Sequence, residues 1–523
     1  MLARNIIGLI IIFSLFCFQP LIAQTEQDIP LLHQVGSEAM PQLIAPFQNL
    51  PFKMPQLTRP IFPDYSLNIK EEGAKESESI TQLVNHLITK ISQQGGGRLI
   101  VPKGKWKSGR IILKSNVNLH LSEGAEIEFS GNAIDYLPSV LTTHEGVGIM
   151  GAGAFIYANG EENIAVTGKG LICGPSMDAP VRQNSNSIAG IVDQFPDEVE
   201  RRIFDGMDGR HFFSPKVFSP INCRNVLCEG ITVKRCLFWN INPIYCENVI
   251  LRGITVESIN IPSGDGVDIT SCKNILIEYC TMNCGDDCYA LKGGRSEEGF
   301  KVGKPTENVV IRYCLAKDGH GGVTVGSETA GGIKNVYAYG CVFDGTQIGI
   351  RFKTRRLRAG VSENLLYENF RMVNVRDAFT WDLLGSQRFM GNLANRLPLQ
   401  PVTELTPDIK NIRIRNFIVE SSKCLLVANG IPELPFSNVI LENGSIRCNK
   451  LIPVMNDFDN VIMRNLSIKS DDNNIKILDG TGLLLDDIVF SLPENKLYIK
   501  VKGKRAGDIN YRHIGLPVEI IKE

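Results

Sequence analysis

The chain has 523 residues, 43% of them apolar, with 55 basic against 56 acidic side chains and 49 glycines. This composition supports a sizeable core and many turns. The balanced charge excludes a global field of the kind that gathers nucleic acid or a membrane surface, so an anionic partner must be met by local cations.

In chain order, Met1 to Ala23 carries Arg4, an apolar run from Ile6 to Phe18 and the ending Pro20-Leu21-Ile22-Ala23. This is the pattern of a cleavable export signal with Gln24 as the new N-terminus, and the run is too short for a membrane span. Residues 24–65 are proline-rich without periodicity and predict an extended arm against the remainder, or a partly disordered one. Ile80, Leu83, Val84, Leu87, Ile88 and Ile91 then mark one apolar helix face, with Ser77 or Ser79 as a cap and Gly95-Gly96-Gly97 as the stop. Strands follow at Arg98 and at Val117.

Beyond these the chain repeats. An Asn followed by a short alternating strand recurs at Asn163, Asn225, Asn248, Asn274, Asn308, Asn335, Asn364, Asn411, Asn438 and Asn460. Asn tolerates left-handed turns, and its amide can bond to the Asn of the next coil. The shortest spacings, 23 residues from Asn225 to Asn248 and 22 from Asn438 to Asn460, fit one turn of a parallel β-helix. No other helix-length periodic segment interrupts the series. The predicted fold is therefore all-β, a single-stranded right-handed parallel β-helix over residues 66–523 whose open end is covered by the first helix. Two stretches lack the repeat, Gly174 to Pro215 and Arg376 to Pro407, and both are predicted as long loops of functional weight.

Of 14 cysteines, Cys17 lies in the leader, and the 13 that remain cannot all pair. Cys223, Cys246 and Cys272 precede repeat asparagines by two residues, and Cys280, Cys314 and Cys341 follow them by six, which predicts ladders of core thiols. No zinc-type spacing is present.

Four polar clusters interrupt the repeat: Ser263-Gly264-Asp265-Gly266-Val267-Asp268, Gly285-Asp286-Asp287, Gly319-His320-Gly321 and Arg351-Phe352-Lys353. Asp265 and Asp286 are 21 residues apart, about one coil, which places them on adjacent rungs separated by ~4.8 Å. Strict alternation would aim Asp287 into the core, so Gly285 is expected to bend the strand start and turn both carboxylates toward one groove. Arg351 and Lys353 share a strand face suited to a carboxylate, whereas Arg355, Arg356 and Arg358 read as a solvated charged edge. Together these clusters make a site for acid/base chemistry on an anionic substrate.

In this order and spacing the clusters resemble the polygalacturonases of glycoside hydrolase family 28, pectin-degrading enzymes with a right-handed parallel β-helix. The likeness covers roughly Ile69 to Ser470, including the opening helix and the stretch Trp239-Asn-Ile-Asn-Pro243. It implies that Asp286 protonates the glycosidic oxygen, that Asp265 and Asp287 activate water, and that His320 supports the carboxylates. It also implies that Arg351 and Lys353 hold a galacturonate carboxylate, with Asp268 and Lys292 as further substrate contacts. The implied mechanism inverts configuration, with carboxyl groups ~6.5–9.5 Å apart to admit water. Ser263-Gly264 departs from the family's Asn-Thr or Asn-Ser before Asp265, which affects the fine contacts there. The expected protein is an exported monomer acting in the periplasm, at the cell surface or outside the cell on pectic polysaccharide or oligogalacturonide. It needs no metal or other cofactor, and an exo mode is favoured over endo. The competing readings are a calcium-dependent pectate lyase, a rhamnogalacturonan or pectin side-chain galacturonidase, and a non-catalytic glycan-binding β-helix.

Overall fold

A computed structural model describes residues 29–183, 187–188 and 195–523, so the expected leader Met1–Ala23 lies outside the described residues. Nearly all strands run parallel and join one continuous solenoid, the right-handed parallel β-helix expected from the repeat. The asparagines explain why coils close at the same point. Asn163, Asn225, Asn248, Asn274, Asn308, Asn335 and Asn364 all have φ between 53° and 58°. Each amide from Asn225 to Asn335 donates to the previous Asn at 2.9–3.1 Å. Inside the coils, aliphatic side chains stack with cysteines: all 13 described cysteines are buried and unbridged, and the backbone N–H of Cys246 donates to Cys272 Sγ at 3.2 Å.

The first helix spans Thr81–Gln93 and lays Val84, Leu87, Ile88 and Ile91 on the first coil. Its stop is the expected one, with Gly95 at φ 96° and the Gly96 N–H bonded to the Ile91 carbonyl at 3.0 Å. Its start is not. No side chain caps it; Ile80 occupies that position and gives its N–H to the Lys107 carbonyl instead, while Ser79 bonds to the Thr81 hydroxyl. A contact with the first coil replaces the local cap.

The arm runs back along the outside of the solenoid. The Gly36 N–H bonds to the Tyr313 carbonyl, and further along Ile44, Phe47, Phe52 and Leu57 of the arm form one apolar cluster with Ala165, Leu227, Ile250, Leu276 and Val310, outward residues of five coils. Beside it, register stacks Glu229, Arg252, Glu278 and Arg312 on successive rungs. Both arginines reach out to the arm, Arg252 to the Pro41 carbonyl and Arg312 to the Ala45 carbonyl, each at 2.7 Å.

One sheet carries the polar clusters. Lys216–Ile221, Val267–Thr270, Tyr289–Lys292, Gly321–Val325, Ile348–Lys353 and Val375–Asp382 stack along it, with Ile241 and Ile244 bridging the first two. The second expected loop therefore begins later than Arg376, because Phe379 and Trp381 turn inward and carry the strand on to Asp382. The first loop packs against the antiparallel hairpin Val140–His144/Val147–Gly151, through Phe195 and Phe204 on Val147 and Ile149.

Candidate active site

Register fixes which acids meet. Val267 pairs with Tyr289, an offset of 22 rather than 21 residues, so Asp265 stands opposite Asp287, and Asp286 lies one step earlier along the chain. Asp286 and Asp287 fall in the corner between the strands Thr281–Cys284 and Tyr289–Lys292, outside regular alternation, which lets consecutive carboxylates converge. Gly285 is needed there because a Cβ would lie 2.2 Å from the Ile261 carbonyl oxygen. One oxygen from each of Asp265, Asp286 and Asp287 lies within 4.8 Å of the others. This nearest-oxygen limit follows from three acids placed on two neighbouring rungs, whereas the ~6.5–9.5 Å spacing of an inverting pair refers to the separation of the two carboxyl groups.

Each acid has a distinct environment. Asp287 is fully buried; Lys353 Nζ donates to one oxygen at 2.6 Å, and Arg351 Nη1 and the Thr324 hydroxyl donate to the other at 3.2 and 2.9 Å. Burial works to raise its proton affinity, but Lys353 and Arg351 outweigh it and hold the carboxyl well below the usual range. Asp286 is the most open, with a quarter of its side chain exposed and Oδ1 3.0 Å from His320 Nδ1. Burial works to raise Asp286, but that hydrogen bond together with the charges of Lys353 and His320 leaves it lowered, and the same bond raises His320 above its ordinary 6.5. Asp265 is 3% exposed; burial first, and then the Asp268 carboxylate, push it well above the usual range. Proton affinity is thus raised at Asp265 and His320 and lowered at Asp286 and Asp287.

The glycines around His320 follow from close approach: a Cβ on Gly321 would fall 2.8 Å from Asp287 Oδ1. Asn240 and Asn242, in the Trp239 stretch, hold the acidic strand from below by donating to the Asp265 and Asp268 carbonyls at 2.7 and 2.5 Å.

Asp268 and Lys292 are set behind the acids rather than at a contact position. Asp268 is fully buried, 3.4 Å from Lys292 Nζ, and burial raises it to about 7. Lys292 also pairs with Glu328 at 3.3 Å and lies 4.5 Å from the Trp239 ring centroid. The basic run after Lys353 is not a solvated edge either. Arg356 is 5% exposed and bonds to Glu433 at 2.6 Å, and Arg358 is 4% exposed beside Glu328.

Past the strand end at Lys292, polar contacts between distant segments build a wall. The loop leaving Tyr289–Lys292 is tied to the hairpin: Arg295 pairs with Glu145 at 2.6 Å, and Glu298 accepts the Gly148 N–H at 2.6 Å. Arg202, from the first long loop, locks Glu298 at 2.5 Å. These partners lie 96 to 150 residues apart, and no local signal announces them.

A family model described as glycosyl hydrolases family 28 matches residues 208–383, the interval that holds every one of the four clusters. The hyperthermoactive exopolygalacturonase of Thermotoga maritima superposes with a TM-score of 0.68 at 29% identity, covering 78% of this chain and 93% of that one. The segment that holds the four clusters belongs to glycosyl hydrolase family 28. It is accordingly a glycoside hydrolase, and the acids described above lie within the family's matched segment. Among curated relatives, a "Probable polygalacturonase" of Vitis vinifera is 27% identical over 366 residues, 69% of this chain and 68% of that protein. The "Exo-poly-alpha-D-galacturonosidase" of Dickeya chrysanthemi is 27% identical over 338 residues, 59% of this chain and 55% of that protein. The family 28 exopolygalacturonase of Yersinia enterocolitica, at 20% identity and a TM-score of 0.59, shares the fold.

Proposed function

We propose that this family 28 hydrolase cleaves α-linked galacturonate in pectin, from a chain end and with inversion. The observation that carries the reading is the asymmetry of the three acids: one open carboxyl hydrogen-bonded to an imidazole, facing two buried ones. Asp286 is the proton donor, because it alone opens on the groove and His320 can supply its proton. Asp265 and Asp287 hold the attacking water, with Asp287 kept anionic by Lys353 and Arg351. The remaining donors of those two cations, whose side chains are 20% and 16% exposed, take the substrate carboxylate.

The wall of Glu145, Arg295, Glu298 and Arg202 supports the exo mode, since a long chain cannot thread past it. An exo enzyme should release reducing ends from polygalacturonate while viscosity hardly falls; an early collapse of viscosity would reverse that part of the reading. A calcium lyase is disfavoured by the donor set itself, because both Asp287 oxygens already face cations that would repel a divalent ion. The polymer is too large to enter a cell, so the leader expected at Met1–Ala23 fits export before action, as a monomer.

The site also fixes the pH profile. Asp265 works ionised, and its proton affinity is raised, so activity should climb with pH only as the solution passes that raised value. Asp268→Asn removes a like charge beside it and frees Lys292, so the rising limb should move down by about one pH unit. A limb that stays in place in kcat measured against pH would remove Asp265 from the base role. The falling limb belongs to His320 and should lie above 6.5.

A further inference from the structure

The active sheet does not end at Arg351 and Lys353. Register carries their two columns on for two more rungs: Arg351 stands beside Thr380 and then Val427, and Lys353 beside Asp382 and then Asn429. Together with Leu384 and Ala394 of the second long loop, the residues on these rungs line a pocket of about 340 Å³, inside the ~300–1,000 Å³ range of small-ligand sites. It lies on the side of Arg351 away from the three acids. A sugar that gives its carboxylate to Arg351 and Lys353 therefore has its neighbour in this pocket.

The pocket offers hydrogen-bonding groups but no unmatched cation. Thr380 is 7% exposed, and its hydroxyl is buried without a partner. Asn429 accepts from the Asn456 amide at 3.1 Å, which leaves its own NH₂ without a partner among the described residues. Asp382 accepts the Leu384 and Gly385 N–H groups on one oxygen, at 3.1 and 2.9 Å, and keeps the other for a ligand. The cations around it are already engaged. Arg351 serves Asp287 at 3.2 Å, Lys353 serves it at 2.6 Å, and Arg376 pairs with Asp377 at 2.9 Å. Arg355, across Gly385, lies 4.9 Å from the Phe389 ring centroid, and among the described residues no cation forms an ion pair with Asp382. A second carboxylate would meet the Asp382 charge here without a counterion, whereas Leu384, Ala394 and Val427 supply the apolar surface that a methyl group needs.

We infer that the pocket of Thr380, Asp382 and Asn429 takes an uncharged pyranose that carries a methyl group, next to the galacturonate held by Arg351 and Lys353, so that the enzyme selects against unbroken runs of free galacturonate. The inference rests on the galacturonide reading above. Thr380 and Asn429 donate to the hydroxyl oxygens of the unit, and the open oxygen of Asp382 accepts from one of its hydroxyls. The same aspartate repels an acidic unit, so one side chain both binds and excludes. Two units have this chemistry, a methyl-esterified galacturonate and a neutral 6-deoxyhexose.

The test measures kcat/KM on trigalacturonate and on its three single methyl esters, one at each residue, with wild-type protein and Asp382→Asn. In the wild type one ester position should raise kcat/KM above the free acid by roughly five- to tenfold, the worth of one relieved like-charge contact in a wet groove. Asp382→Asn keeps the oxygen that the Leu384 and Gly385 amides need and removes the charge. It should raise kcat/KM on free trigalacturonate by a similar factor and abolish the advantage of that ester. A trimer with a neutral 6-deoxyhexose at the favoured position then separates the two sources: whichever of it and the ester is cleaved faster identifies the unit the pocket takes. If every ester lowers wild-type activity or leaves it within twofold, the pocket does not select an uncharged unit, although the galacturonide reading stands. An ester gain that persists at full size in Asp382→Asn would place the selection elsewhere and overturn the assignment. Cleavage of none of these substrates by the wild type would instead defeat the underlying reading. Should Asp382→Asn not fold, the wild-type series still decides.

Discussion

Asp286→Asn should lower kcat by roughly 10²–10⁴-fold with KM little changed, the range ascribed to a general acid. The substitution keeps the shape and leaves an oxygen for His320, so the fold and the groove survive. It removes the only one of the three carboxyls that opens on the groove, and neither neighbour can replace it. Asp287 is enclosed by Lys353, Arg351 and Thr324, and Asp265 is 3% exposed. Loss in kcat without loss of binding separates this role from substrate recognition. Activity within a few-fold of wild type would take the donor role away from Asp286.

Glu278→Ala should destabilise the solenoid by about 3–5 kcal/mol, the scale for leaving a buried charge without its partner. Glu278 is 1% exposed and sits between Arg252 and Arg312, accepting from them at 2.7 and 2.6 Å. Its loss leaves Arg312, 2% exposed, with no carboxylate at all, while Arg252 keeps only Glu229 at 3.0 Å. Because both arginines also hold the arm through Pro41 and Ala45, the arm should loosen with the core. Urea unfolding read against wild type measures the first effect, and proteolysis within residues 29–65 the second. A change below about 1 kcal/mol with an equally resistant arm would show that neighbouring water or side chains compensate.

What the sequence made legible follows from where its information is local. The Asn repeat was readable because one residue type solves one turn, and the same ladder that closes each coil spaces the polar clusters along a single sheet. Within that frame Asp265, Asp286 and Asp287 stood out as charges in an apolar rhythm, and His320 as an imidazole between glycines. Spacing gave the rung but not the step: a count of 21 paired Asp265 with Asp286, whereas the register of 22 sets it opposite Asp287. The sequence could not show partners supplied by distant coils. Arg356 and Arg358 look like a surface run until Glu433 and Glu328 are brought to them, 77 and 30 positions away. Thr324 was hidden for the same reason, a common strand residue until its hydroxyl meets Asp287 across 37 positions. The wall is the clearest case, since Glu145 and Arg295 are 150 residues apart and neither belongs to a motif. Substrate class is thus carried by local motifs, while the closure that supports an exo mode is carried by long-range ion pairs.

The most direct check of the central claim is proton NMR of trigalacturonate during its first minutes of digestion. The account predicts that the newly freed anomeric carbon appears as the β form and only later equilibrates, with no vinyl signal from an unsaturated uronide. An α-anomer formed first would contradict the inverting arrangement of Asp286 against Asp265 and Asp287, and an unsaturated product would contradict hydrolysis itself.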